Sequence, residues 1–283
     1  MATERDELTG VETTGHEWDG LKELNNPLPR WWLYVLYATI VGSLIYGVFV
    51  SPIPGVPGLL DNMRTVVRQD IALAREAQAA NFERIELASL QDIRDDASLR
   101  DFVRSGGGSV FAENCAPCHG AGGAGVPGYP ALVDDAWLWG GTLDDIYLTI
   151  AYGVRSDHDD TRWSEMMAFG RDGFLDHDEI GDVAGYVVSM SGGEIEDSAA
   201  AARGEEVYLD NCASCHGDNG EGDNYAGAPR LNDAIWLYGD SYDDIVSQID
   251  DPKHGVMPAW IDRLDETTIK MLAVYVHTLG GGQ

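Results

Sequence analysis

The chain contains one segment written twice, and that repeat limits its possible folds more than any other feature. GGSVFAENCAPCHG (107–120) is matched by GEEVYLDNCASCHG (204–217), and ALVDDAWLWGGTLDDI (131–146) by RLNDAIWLYGDSYDDI (230–245). MMAF (166–169) is matched by MPAW (257–260), and LDHDEIGDVAGYVVSMSGG (175–193) by LDETTIKMLAVYVHTLGG (264–281). The order never changes, and the main difference in length falls in AYGVRSDHDDTRWSE (151–165). The repeat predicts one small domain used twice: residues 106–192, a linker at 193–202, and residues 203–283, each copy closed by its own last helix.

Each copy reads as all-α. A helix runs into the cysteine motif, a glycine-rich loop follows, a short helix starts near Trp137 or Trp236, and a last helix closes the copy. Ile180, Val183, Ala184 and Val187 form an i, i+3, i+4, i+7 stripe, repeated by Ile269, Leu272, Ala273 and Val276. Asp176 with Glu179, and Asp265 with Thr268, stand where a capping box starts these helices.

All four cysteines are spent on two copies of C-x-x-C-H: Cys115, Cys118 and His119, then Cys212, Cys215 and His216. That pattern is a c-type haem attachment site. Two thiols at this spacing reach the two vinyl groups on one porphyrin edge, and the adjacent histidine turns under the ring to bind iron. A redox disulfide or a zinc site built from two CxxC halves also uses such cysteines. Neither requires a histidine directly behind each pair, nor a whole domain repeated around it. Two covalently bound haem c groups are the expectation.

A sixth ligand stands in a matched place in each copy: Met166 after His119, and Met257 after His216. Thioether opposite imidazole favours ferrous iron, raises the potential and suits electron transfer. In the first copy Met167 is adjacent and the proline of MPAW is missing; alignment selects Met166. His158 and His254 each precede a candidate methionine, so bis-histidine ligation is the alternative. The ligating histidines need a fixed acceptor for their other ring nitrogen. The matched Pro130 and Pro229 carbonyls are the candidates. Arg230 is placed to pair with a haem propionate in the second copy, where the first has Ala131. Trp137 and Trp236 read as walls of the haem pockets.

Ahead of the repeat lies WWLYVLYATIVGSLIYGVFV (31–50), twenty residues without a charge. At about 1.5 Å per residue this crosses the hydrocarbon core of a bilayer, with Trp31, Trp32 and Tyr34 at an interface. Pro52, Pro54 and Pro57 then end the helix. Residues 1–30 form an acidic N-terminal segment without a signal-peptide pattern. Residues 51–105 read as a helical connector, with Ser105–Gly108 marking its boundary. The chain has 18 basic and 48 acidic side chains, a formal charge of −30. This excludes nucleic acid as a partner and favours basic ones, or a saline medium.

HEWDGLKELNNPLPRWW (16–32), one membrane helix, and two CxxCH domains in tandem together resemble the dihaem cytochrome c subunit (subunit III) of cbb3-type cytochrome c oxidases. The resemblance implies two class I cytochrome c domains behind a single span. It implies a chain that takes electrons from a donor cytochrome c. They pass to a monohaem cytochrome c subunit and on to the haem–copper catalytic subunit. Haem attachment outside the bacterial cytoplasm, implied by the c-type family, puts residues 1–30 in the cytoplasm and the haem domains in the periplasm, with the span in the inner membrane. The chain is then a carrier with no catalytic residue of its own. A cytochrome subunit of a membrane-bound dehydrogenase is the alternative. A sensing haem protein needs five-coordinate iron, against which the two methionines stand.

Overall fold

The computed structural model describes residues 3–50, 58–60, 63–193 and 197–283. It divides into two units, residues 1–77 and 78–283.

The first unit opens with an antiparallel hairpin, β1 (Thr13–Trp18) and β2 (Leu21–Leu24), with Glu17 opposite Lys22. Its turn is Asp19-Gly20, both at positive φ (48° and 82°). That is the pairing Asp-Gly favours, because such a turn matches the twist of the strands. The hairpin is absent from the sequence expectation; its strands are short and polar, and only the Asp-Gly pair announces them. Helix α1 (Arg30–Phe49) follows the conformationally fixed Pro29 and has no buried residue. A uniformly apolar helix with every face uncovered fits lipid as its solvent. The proline segment expected to end it lies outside the described residues.

Helix α2 (Met63–Leu87) leads into the second unit, which continues with α3 (Leu90–Asp95), α4 (Ala97–Asn114) and α5 (Ala116–His119). Then come α6 (Leu143–Tyr152), α7 (His177–Met190), α8 (Ser198–Asn211), α9 (Ala213–His216), α10 (Tyr242–Asp250) and α11 (Glu266–His277). Side-chain caps set the starts. Asp176 and Glu179 form the capping box on α7, and Asp265 accepts from Thr268 N on α11. The short helices α6 and α10 begin after Trp137 and Trp236, not at them, because Thr142 and Ser241 are the residues that cap them.

Two features differ from the sequence expectation. First, Ser105–Gly108 is no boundary: α4 runs through it without a break. Its glycines make room for α11. A Cβ on Gly107 would stand 3.0 Å from both the Met271 carbonyl oxygen and Tyr275 Cβ, and one on Gly108 would stand 3.1 Å from the Tyr275 ring. The last part of the connector is core as well, since Ile85, Leu90, Ile93, Leu99 and Val103 are buried in the same cluster as Phe111.

Second, the repeats do not close on themselves. The closing helix of the second copy, α11, packs on α4 and α6 of the first, while α7 of the first packs on α8 and α10 of the second. One core therefore joins Phe111, Ile146 and Ile150 to Ile269, Leu272 and Val276. The other joins Ile180, Val183 and Val187 to Tyr208, Ile245 and Ile249. The chain itself supplies the reason. Only residues 191–197 separate α7 from α8. A connection this short makes two consecutive helices antiparallel neighbours.

Candidate haem sites

Each cysteine motif begins as the cap of a helix. Cys115 closes α4 and opens α5; Cys212 does the same between α8 and α9. The His119 and His216 backbone N–H groups donate to Cys115 and Cys212 carbonyls at 2.9 and 3.0 Å, which winds each motif into one turn and puts its histidine at the turn's end. Gly120 and Gly217 follow at φ 77° and 79°, a conformation that lets the chain turn away at once.

Both histidines are held alike. His119 Nδ1 lies 2.9 Å from the Pro130 carbonyl oxygen, and His216 Nδ1 lies 2.9 Å from that of Pro229. A carbonyl only accepts, so Nδ1 carries the proton and Nε2 keeps its lone pair for a ligand. Burial holds His216 below the usual imidazole range, opposed in part by the Pro229 carbonyl. It therefore stays neutral, as a metal ligand must be.

None of the four cysteines is in a disulfide. Cys118 and Cys215 are exposed, whereas burial pushes the Cys115 and Cys212 thiols up to about 11. Thiols so raised are poor thiolates and do not suit a redox couple. Among the described residues no group of three His, Cys, Asp or Glu converges to hold a metal ion, so the zinc alternative has no donor set. A pair of thiols beside an imidazole with one free nitrogen fits a covalently attached haem.

The loops after the two motifs face one another. Gly128 N donates to the Leu237 carbonyl at 2.9 Å, and Gly227 abuts the Trp139 ring. Between them lies one cavity of about 870 Å³, lined from the first copy by Pro130 and Trp137 and from the second by Pro229, Arg230, Trp236 and Tyr238. This is the size of a cofactor cleft. Trp137 and Trp236 thus stand on its wall, and Arg230 on its rim. The Trp137 indole N–H is already donated, to the Gly281 carbonyl.

The methionines are not where self-contained copies would put them. Met257 packs against the cluster of Phe111 and Cys115, and Met166 against that of Tyr208 and Cys212. The structure thus brings Met166 to the second motif and Met257 to the first, the reverse of the sequence pairing. Met166 is partly buried while Met167 is 50% exposed, which favours Met166 as the side chain that enters a pocket. His158 Nδ1 accepts from Asp160 N and His254 Nε2 from Met166 N, each at 3.0 Å.

Arg155 was missed by sequence reasoning. It sits at φ 50°, and its guanidinium donates to the Gly255 and Ser164 carbonyls, both at 2.7 Å. It ties together the two segments that carry the methionines. An arginine in a loop of aspartates gives no sequence signal for this.

Three family descriptions match parts of the chain. Residues 10–55 match the N-terminal domain of cytochrome oxidase-cbb3, FixP; residues 105–191 match cytochrome c; residues 199–276 match cytochrome c oxidase, cbb3-type, subunit III. The cbb3-type cytochrome c oxidase subunit CcoP of Azospirillum brasilense is 50% identical, the match covering 99% of each chain. The cbb3-type cytochrome c oxidase subunit FixP of Bradyrhizobium diazoefficiens is 47% identical, again over 99% of each. With two CxxCH sites behind one apolar helix and likeness along nearly its whole length, this chain belongs to the CcoP/FixP family of cbb3-type cytochrome c oxidase subunits.

Proposed function

We infer that this subunit relays electrons from a donor cytochrome c to the catalytic subunits of a cbb3-type terminal oxidase. The observation that carries it is the pair of CxxCH turns whose histidines are each held through Nδ1 by a proline carbonyl, Pro130 and Pro229, both of which line one cavity. Cys115 and Cys118 bond one haem c and Cys212 and Cys215 the other. His119 and His216 would hold the iron through Nε2, and Met166 and Met257 would be the thioether donors. Haem c in this ligation supplies one-electron Fe(II)/Fe(III) chemistry.

The chain's own residues do the rest. Pro130 and Pro229 fix the imidazoles in one tautomer, and the buried faces of α4, α7, α8 and α11 form the cores that carry the motifs. Thioether and imidazole donors together would suit the iron to electron carriage. Arg230 offers a cation to a propionate at the cavity rim.

Helix α1 anchors the subunit in the bacterial inner membrane, with residues 1–30 in the cytoplasm and the haem domains in the periplasm. The partners in this reading are the monohaem cytochrome c subunit, the haem–copper catalytic subunit, the donor cytochrome c and the lipid bilayer. The test is to purify the intact membrane complex, count covalent haem by pyridine haemochrome, and identify its subunits. Two covalent haems on this chain beside an oxygen-reducing haem–copper subunit are expected. Purification with a dehydrogenase instead would contradict the reading.

A further inference from the structure

The main extra length of the first copy falls in the loop 151–165, and hydrogen bonds hold that loop in one shape. Arg155 N donates to the Arg162 carbonyl at 2.9 Å and Arg162 N to that of Gly153 at 3.1 Å, which closes its base. Thr161 N donates to the His158 carbonyl and Ser156 N to Thr161 Oγ1, both at 3.0 Å, which fixes its tip. The Arg162 guanidinium is spent on Asp145, at the start of α6. Trp163, the next residue, is 62% exposed.

Trp163 does not stand alone. Arg155 binds the Ser164 and Gly255 carbonyls, and Met166 N donates to His254 Nε2. These bonds set residues 163–167 beside 254–256, where Met167 and Val256 are exposed as well. Val256 and Pro258 share a cleft of about 430 Å³ with Asp157, Asp159 and Asp262. Asp160 and Glu165 are exposed on the same stretch. The arginines there are engaged: Arg155 with two carbonyls, Arg162 with Asp145, and Arg263 over the Trp260 ring at 5.4 Å.

We propose that this patch, Trp163, Met167 and Val256 among Asp157, Asp159, Asp160, Glu165 and Asp262, is where a lysine-rich donor cytochrome c docks. This rests on the electron-relay reading above and adds the face at which electrons enter. Charge selects the occupant. The core of a permanent subunit interface is depleted of charged side chains, whereas here carboxylates outnumber the apolar groups. Carboxylates around a few apolar contacts suit a small, brief, salt-sensitive encounter with a basic partner. An exposed tryptophan supplies affinity from little area, and a loop already held in shape needs little ordering on docking. The loop is also tied to the segments that carry Met166 and Met257, the thioether donors of the relay reading.

The test mixes the purified oxidase complex with a reduced, lysine-rich soluble cytochrome c by stopped flow. Trp163→Ala is expected to lower the bimolecular rate of electron entry about tenfold at every ionic strength, the effect of one interface hot spot. Asp157→Asn, Asp159→Asn and Asp160→Asn together are expected to lower it at low salt and to match the parent at high salt. A parent rate in Trp163→Ala would overturn the proposal. Loss of another subunit from that variant would also overturn it, assigning the patch to a contact inside the complex.

Carbodiimide coupling of the unaltered complex to the same donor needs no variant. Amide bonds from donor lysines to Asp157, Asp159, Asp160 or Glu165 are expected, and bonds confined to acids elsewhere would contradict the proposal. A parent complex whose c haems the donor fails to reduce would instead overturn the relay reading itself.

Discussion

Gly204 lies directly against the main chain of Asp182: a Cβ added to it would overlap the Asp182 carbonyl oxygen and stand 2.9 Å from Val183 N. This is the crossing point of α8 with α7, a helix of the other sequence copy, and Arg203 beside it binds Asp182 through two hydrogen bonds of 2.6 and 2.7 Å. Backbone cannot swing aside as a flexible side chain can. Gly204→Ala is therefore expected to destabilise the holoprotein by about 2–3 kcal/mol, the upper part of the range for overpacking. Gly107→Ala, where the nearest approach is 3.0 Å, is expected to cost about 1 kcal/mol. Denaturant unfolding of both variants checks this, and a Gly204→Ala variant as stable as the parent would refute the crossing.

Deleting α11 tests the exchange by a different route. Phe111 and Val103 of α4 are essentially inaccessible in the folded chain and lie in one cluster with Ile269, Leu272 and Val276. Truncation before Glu266 is expected to unfold the first motif's surroundings, lowering covalent haem at Cys115 and Cys118. The second motif, covered by α7, keeps its haem. Haem peptides from a proteolytic digest distinguish the two sites. Loss of haem from the second motif alone would mean that each copy closes on itself after all.

Arg155 ties the segments holding both methionines, and hydrogen bonds from a charged donor contribute about 1.5–3 kcal/mol each when the partner is left buried. Burial also lowers its affinity for a proton. Arg155→Ala is expected to lower the fraction of methionine-ligated iron at both sites together, read as carbon monoxide binding by the reduced protein. Arg155→Lys, which lacks the fork that reaches two carbonyls, is expected to recover only part. An effect confined to one haem would show that Arg155 serves a single segment.

Acidic residues are not equivalent. Asp145 caps α6 with Thr142 and pairs with Arg162 at 3.1 Å, and Asp244 is held by Ser241. Changing them alters the fold. Asp144 and Asp243, in the same first turns, are exposed and lie outside these cap contacts. Neutralising both is expected to slow electron entry from a lysine-rich donor cytochrome at low salt and to have little effect near physiological ionic strength. There screening acts over about 8–10 Å. Neutralising Asp70 and Glu76 on α2 is the comparison. Equal slowing at both places would assign the acids to solubility in a saline medium.

The CxxCH turns, the proline carbonyls behind the histidines and the capped closing helices were all legible because each is local. The pairing of Met257 with the Phe111 core was not, and the reason is the repeat itself. Gly107 with Phe111 and Gly204 with Tyr208 present near-identical faces to the closing helices, so local pattern alone lets either helix dock on either face. The brevity of residues 191–197 was the available signal, since it makes α8 a neighbour of α7. The glycines of Ser105–Gly108 misled for a related reason. They read as a linker, yet they are small because Met271 and Tyr275 pass close by, a contact with a residue far along the chain.

Electron carriage is tested most directly by stopped-flow mixing of the purified oxidase complex with a reduced donor cytochrome c. The c-haem absorbance of this subunit is predicted to become reduced before the oxygen-reducing centre. A complex in which all four cysteines, Cys115, Cys118, Cys212 and Cys215, are serine is predicted to lose donor-driven oxygen consumption while still consuming oxygen from a small artificial reductant. Undiminished donor-driven consumption by that complex would contradict the account.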